Sequence, residues 1–350
     1  MHLLAIDWFF ILEKLILIAL VVTLSMIVAM YATYGERKVA AFMQDRIGPN
    51  RAGPFGLLQP LADGGKLFFK EEIIPLASSK FLFVLGPVLA MVTALLTSAV
   101  IPWGSPALIA GRTVPLQIAD INIGILYVFG VVSLGVYGIM IGGWASNNKF
   151  SLLAGIRGAS QMISYELAMG LSLIAVLMLT GSLQMSTIVQ NQLDNGWNIV
   201  YQPLGFLIFF ICALAECNRT PFDLPEAENE LNFGYHQEYS SMKLGFYLFA
   251  EYINMFISGV IMSTLYFGGY DIPFVNEGSW GISQNLLAFI SFAVLMVKAC
   301  FFVFVFMWIR WTIPRFRFDQ LMHLGWKRLV PLALVNMIIT ALVVLWLTNK

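Results

Sequence analysis

Carboxylates are the residues in this chain whose type and spacing most suggest chemistry. Residues 216–240 read ECNRTPFDLPEAENELNFGYHQEYS. Glu216, Asp223, Glu226, Glu228, Glu230 and Glu238 crowd this short connection between two apolar runs, and only Arg219 opposes them. Burial and nearby like charge each raise a carboxyl pKa. Acids placed this way can take up and release protons near neutral pH, so proton transfer is the first chemistry to consider. Two more glutamates lie inside apolar runs: Glu166 in SYELAMG and Glu251 in FAEYIN. Glu251 is about eight residues into its run, roughly 10 Å or more from the run's start at 1.5 Å per residue. A carboxylate at that depth is costly unless it is paired, hydrated or protonated. The competing reading makes each acid one half of a structural ion pair, and that reading weakens when Glu166, Glu216 and Glu251 fall on consecutive runs.

Local spacing divides the acidic connection. Asp223 and Glu226 fit a D-x-x-E capping box, with Pro225 tolerated in the first turn. On the helix this predicts, Glu226 and Glu230 share a face and Glu228 points away. For Glu228 and Glu238 a solvated acidic surface is an equal alternative. A second charged cluster follows the first apolar run: Glu36, Arg37, Lys38, Asp45, Arg46, Asp63 and Lys66. It reads either as a basic anchor with local pairing or as the mouth of a lipid-facing cavity for an amphiphile. Lys298, in the middle of an apolar run, is a candidate proton-carrying residue or a counter-charge to a glutamate.

The elements that must position these groups are membrane spans. The chain is 59% hydrophobic and 11% charged, and its mean hydropathy is +0.79. A soluble domain carries about 25% charged residues. A membrane helix needs roughly 20 apolar residues, and eight stretches qualify: 11–31, 81–101, 121–144, 161–181, 197–215, 244–268, 286–311 and 329–347. The first has no basic leader or small-residue cleavage site, so it is expected to be a retained span. The predicted fold is an all-α polytopic membrane protein, a single membrane domain over 1–350. Its inside loops are 34–80, 145–160, 216–243 and 312–328. The turn-rich segment DRIGPNRAGPFGLLQP precedes Leu57, Leu58, Leu61, Leu67 and Phe68 at near-helical spacing, which predicts an interfacial amphipathic helix. Short loop helices are expected on the same face.

Basic residues orient the spans. Sixteen of the 20 Lys and Arg residues fall in the connections after spans 1, 3, 5 and 7; Lys14, Arg112 and Lys350 lie on the other side. Both termini are therefore expected outside. Cys212, Cys217 and Cys300 form no CxxC pair, and His2, His236 and His323 are scattered, so no iron–sulfur, zinc or haem site is readable.

Four long motifs bring a family into view: GERKVAAFMQDRIGPNRAGPFGLLQPLADGGKLFFKEE, ASNNKFSLLAGIRGASQMISYELAMG, AECNRTPFDLPEAENELNFGYHQEYS and IRWTIPRFRFDQLMHLGWK. Together they resemble the H-subunit family of proton-pumping NADH–quinone oxidoreductase, respiratory complex I, known as subunit 1 in mitochondria. The resemblance runs from about Glu36 to Leu329. It implies an eight-span subunit where the membrane and peripheral arms meet, forming part of the quinone chamber and its access from the lipid. Quinone is then the substrate, and this chain alone holds no cofactor. NADH, flavin mononucleotide and iron–sulfur clusters belong to partner subunits. The other partners implied are the small and antiporter-like membrane subunits and the bilayer, with no nucleic acid. By motif match Glu36, Arg37, Asp63 and Lys66 lie along the quinone path, with Gly64 where relatives often carry alanine. The acidic funnel maps to Glu166, Glu216, Glu226, Glu228, Glu230 and Glu251, supported by Tyr165, Arg219, Asp223 and Arg315. The location implied is the bacterial inner membrane, or the mitochondrial one in an organelle. Competing functions are a stand-alone cation/proton transporter, which usually shows internal repeats and broken helices, the membrane subunit of a related hydrogenase, and a passive anchor for a peripheral oxidoreductase.

Overall fold

The computed structural model describes residues 8–109, 111–272 and 283–348. Seven of its helices are long and apolar enough to cross a membrane. They are α1 (Trp8–Met43), α3 (Lys80–Leu96, continued by a tight turn to Val100), α4 (Gly124–Ala145), α5 (Lys149–Thr180), α10 (Ser241–Tyr266), α11 (Gln284–Thr312) and α13 (Val330–Thr348). The smaller helices are α2 (Gln59–Phe69), α6 (Met185–Asn195), α7 (Asn198–Tyr201), α8 (Pro203–Glu216), α9 (Glu228–Leu231) and α12 (Phe318–Leu324). A two-stranded antiparallel hairpin, β1 (Ala107–Ile109) and β2 (Arg112–Val114), lies in the connection between α3 and α4. The all-α architecture is that of a multi-pass membrane protein.

Two helices outrun their expected spans. α1 continues for 36 residues, about 54 Å at 1.5 Å per residue, so Glu36, Arg37 and Lys38 ride on a rigid helical extension. α5 begins at Lys149, which turns most of the expected loop 145–160 into helix; the Asn148 side chain caps it by accepting from the Phe150 N–H at 2.9 Å. The run 197–215 is broken instead. Asn198–Tyr201 is one helical turn, Gln202 leaves helical geometry, and α8 restarts at Pro203. Proline has no N–H to continue the earlier hydrogen-bond ladder and is well placed at a first helical position. The 14 residues of α8 reach about 21 Å. The eight spans expected are thus seven long helices and one short one.

Close packing in the bundle relies on small residues, as membrane helix contacts commonly do. A Cβ at Gly138 would sit 2.9 Å from Ala90 N and 3.1 Å from Gly86 O, so α3 and α4 approach backbone to backbone. Tyr247 of α10 donates its hydroxyl to Gly138 O at 3.0 Å and fixes a third helix there. Lys298, candidate counter-charge in the sequence, donates to the main-chain oxygens of Phe267, Gly269 and Asp271 at 2.7, 2.9 and 2.6 Å and anchors the turn after α10.

The loops expected on the inside meet at one end of the bundle. Ser241 Oγ donates to Leu67 O at 3.2 Å, and Ser240 Oγ accepts from Ile73 N at 2.9 Å. Lys243 pairs with Glu72, Asn148 donates to Glu238 at 2.8 Å, and Arg315 reaches Asp223 at 2.8 Å. α2 lies against α1 and α10 in this corner, and Leu61 and Phe68 point outward. This is the arrangement expected of an interfacial helix.

Candidate functional site

The helical extension of α1, the acidic connection and the ends of α10 and α11 converge on one buried charge cluster. Glu36 is its hub. It receives the Tyr252 hydroxyl at 2.7 Å, Arg310 Nη1 at 2.5 Å and Arg219 Nη1 at 3.5 Å. Arg219, 4% exposed, lies over the Tyr252 ring at 4.1 Å and comes within 3.8 Å of Glu251 Oε2. Glu251 also accepts from the Tyr235 hydroxyl at 2.9 Å. Buried charges persist when they are paired and hydrogen-bonded, and Glu36 and Glu251 have both kinds of partner.

Beside the cluster opens a cavity of about 430 Å³. Glu36, Arg37, Asp63 and Lys66 line it, and so do Arg219, Glu226 and Glu251. The four residues expected along the quinone path therefore share one space with part of the expected funnel. Arg37 holds Asp63 at 2.7 Å and Gln59 donates to its other oxygen at 3.1 Å, tying α2 to α1 at the rim. Gly64 lines the same wall and has open space beside it.

The acidic connection folds differently from its sequence pattern. Asp223–Glu226 forms turns, and α9 starts only at Glu228, with Ala227 at its cap. The D-x-x-E capping box does not form, because Asp223 is drawn into an ion pair with Arg315. Glu226 and Glu230 consequently do not share a helix face. Glu226 turns inward to His236, while Glu230 makes a surface pair with Arg157 at 2.8 Å. Glu228 opens α9, and its side chain lies outside the described residues. Asn232, Phe233 and Gly234 all have positive φ, and a Cβ at Gly234 would overlap Pro225 O. That close turn brings Tyr235 onto Glu251 and His236 beside Glu226. Burial beside Glu226 pushes the Asp223 carboxyl up to about 8, against the pull of Arg315 and Arg310. Burial likewise pushes His236 down to about 4, so it is neutral near pH 7.

The remaining acids lie deeper. Glu251 and Glu216 both line a second, narrow cavity of about 50 Å³. Glu216 closes α8 with its Oε2 buried and without a hydrogen bond. It also borders a third, mostly apolar and narrow cavity of about 40 Å³. Phe129 and Leu173 line that cavity and also a groove of about 640 Å³ that contains Glu166. Glu166 accepts the Ser133 hydroxyl. Tyr165 faces the other way and donates to Leu321 O at 3.1 Å, joining α5 to α12.

Sequence reasoning missed Tyr252, Arg310, Tyr235 and His236. Tyr252 directly follows Glu251, and Tyr235 and His236 sit within the acidic motif, so proximity to acids marked those three, while Arg310 was marked only as a basic residue at the end of an apolar run. Nothing in their spacing assigned partners.

Fold and site define a class: a multi-pass membrane protein with a charged cavity at one end of its helix bundle and carboxylates leading inward. Comparison with known families makes this particular. A family model described as NADH dehydrogenase matches residues 15–341. The first of the numbered NADH-quinone oxidoreductase H subunits of Cytophaga hutchinsonii is 64% identical over 96% of this chain and 98% of its own length. The H subunit of the same oxidoreductase from Flavobacterium johnsoniae is 61% identical over 96% of both chains. NADH-quinone oxidoreductase subunit 8 of Rhodothermus marinus is 45% identical, also over 96% of both. The chain belongs to the H-subunit family of NADH-quinone oxidoreductase, the membrane subunits of that oxidoreductase complex.

Proposed function

We propose that this subunit walls part of the quinone chamber and its access from the lipid, and passes the consequence of quinone reduction to proton translocation through its carboxylates. The observation that carries this reading is the shared lining: Glu36, Arg37, Asp63 and Lys66 face the same cavity as Glu226 and Glu251, and Glu251 faces the next cavity together with Glu216. Reducing a quinone to a quinol takes up electrons, supplied by a partner subunit's iron–sulfur centre, together with protons. Around the headgroup, Arg37 and Lys66 offer positive charge to a developing quinone anion, while the Glu36–Arg219–Arg310 lattice holds the wall in place. The change in charge at the cavity is felt by Glu226 and Glu251, and then by Glu216 across the second cavity. Glu166 lies beyond the apolar stretch and would hand the signal to a neighbouring membrane subunit. The basic loops would face the compartment that holds the peripheral arm, with both termini on the opposite side of the bacterial inner membrane.

Replacing Glu216 by Gln tests the relay. We expect the complex to assemble at wild-type levels and NADH-driven proton pumping in membrane vesicles to fall at least tenfold. An assembled variant that pumps normally would refute the relay. A stand-alone transporter would instead purify by itself from mild detergent.

A further inference from the structure

We infer that Glu226, His236 and Glu251 form a binding site for a divalent cation of the zinc class, reached from the large cavity. Among the described residues these three bring one imidazole nitrogen and two carboxylate oxygens within 4.8 Å of one another. The imidazole is the informative member. His236 is fully buried, yet neither ring nitrogen has a hydrogen-bond partner, whereas buried polar groups are nearly always satisfied. Its Nδ1 lies 3.4 Å from Glu226 Oε1. The ring is packed on Tyr235 at 3.9 Å and against Tyr247 at 5.3 Å, so its direction is set by neighbours rather than by hydrogen bonds.

The donor set suits zinc. Imidazole and carboxylate are normal zinc ligands at about 2.1 Å, and three protein ligands leave a fourth position for water. Tetrahedral geometry at that bond length places ligand atoms about 3.4 Å apart, so side-chain rotation of about an ångström closes the site. Tyr235, donating to Glu251 Oε1 at 2.9 Å, is placed as an outer-shell partner that orients a ligating carboxylate. Two carboxylates balance a dication. Arg219 is the opposing charge, 3.8 Å from Glu251, but it also faces Glu36 at 3.5 Å. Glu226 and Glu251 line the cavity, which supplies a way in.

Binding itself does not depend on the proposed relay; only its consequence does. A cation here would hold two relay acids in one charge state and stop quinone-coupled turnover. The test uses the intact complex. Crystals soaked in zinc chloride should show zinc-edge anomalous density among the three side chains, and His236→Asn should remove it. The zinc concentration that half-inhibits NADH–quinone reductase activity in membranes should rise at least tenfold in that variant, with magnesium chloride as the control. Absence of density at this position in the wild-type complex overturns the site, and so does density that survives His236→Asn. Density that appears without inhibition supports the site and counts against the relay.

Discussion

The cavity wall and the deeper acids place the same functional group in opposite surroundings. At the wall, Glu36 is met by Arg310, Arg219 and the Tyr252 hydroxyl. Deeper in, Glu216 has no cation within ion-pair distance among the described residues, and its Oε2 is buried without a hydrogen bond. A carboxylate fully engaged by cations is a fixed charge, because protonating it would abandon several contacts at once. A carboxylate without such partners and bordering two cavities has little to lose on protonation. The wall acid is thus held by several partners at once, and among the described residues the interior acid has no such cation.

Substitutions can break this contrast. The largest effect is expected at Arg219. Removing one member of a buried charge set leaves the others uncompensated, at a cost of about 3–5 kcal/mol. Arg219→Ala should therefore abolish accumulation of the assembled subunit, read by immunoblot of membranes, whereas Glu216→Gln should leave assembly intact. If the two variants assemble equally well, the contrast fails.

A titration offers a second approach. The Asp223 carboxyl sits near 8 in the fold, against an ordinary value of 3.8. A raised pKa means that stability is fully present below the unfolded value and lost as pH rises through the folded one. Between about pH 4 and pH 8 its contribution should fall, and Asp223→Asn should flatten that loss in thermal unfolding of the purified complex. An unchanged pH profile would mean Arg315 holds the group ionised throughout.

Tyr252→Phe keeps the ring beneath Arg219 and deletes only the hydroxyl that donates to Glu36 at 2.7 Å. A hydrogen bond to a charged group contributes about 1.5–3 kcal/mol, so thermal stability should drop measurably while assembly persists. The smallest change is expected for Arg157→Ala. Its pair with Glu230 has 30% and 53% of the side chains exposed, and exposed pairs contribute about 0–1 kcal/mol. A large loss there would show that this surface pair carries more of the fold than its exposure implies.

Much of this was legible before any coordinates. Hydropathy located the long helices, and the amphipathic spacing around Leu61 and Phe68 located α2, because burial in lipid or at its surface is a property of residue type and period. Pattern reasoning failed where a distant residue competes. The Asp223 capping box was locally sound, but Arg315 captures the carboxylate from 92 residues away. Lys298 meets backbone oxygens that become reachable only once α10 has ended.

By itself, the sequence determined that this is a membrane protein of many helices, which family it belongs to, and that acids gather at one boundary; composition and local periodicity are enough for the first and last of these, and long motifs for the second. Only the tertiary structure decided what each acid meets. It gave Glu36 its cations, turned Glu226 toward His236, put Glu230 on the surface and left Glu216 between cavities. The protonation behaviour of a carboxyl is set by burial and by charges a few ångströms away, and those neighbours come from helices far apart in the chain.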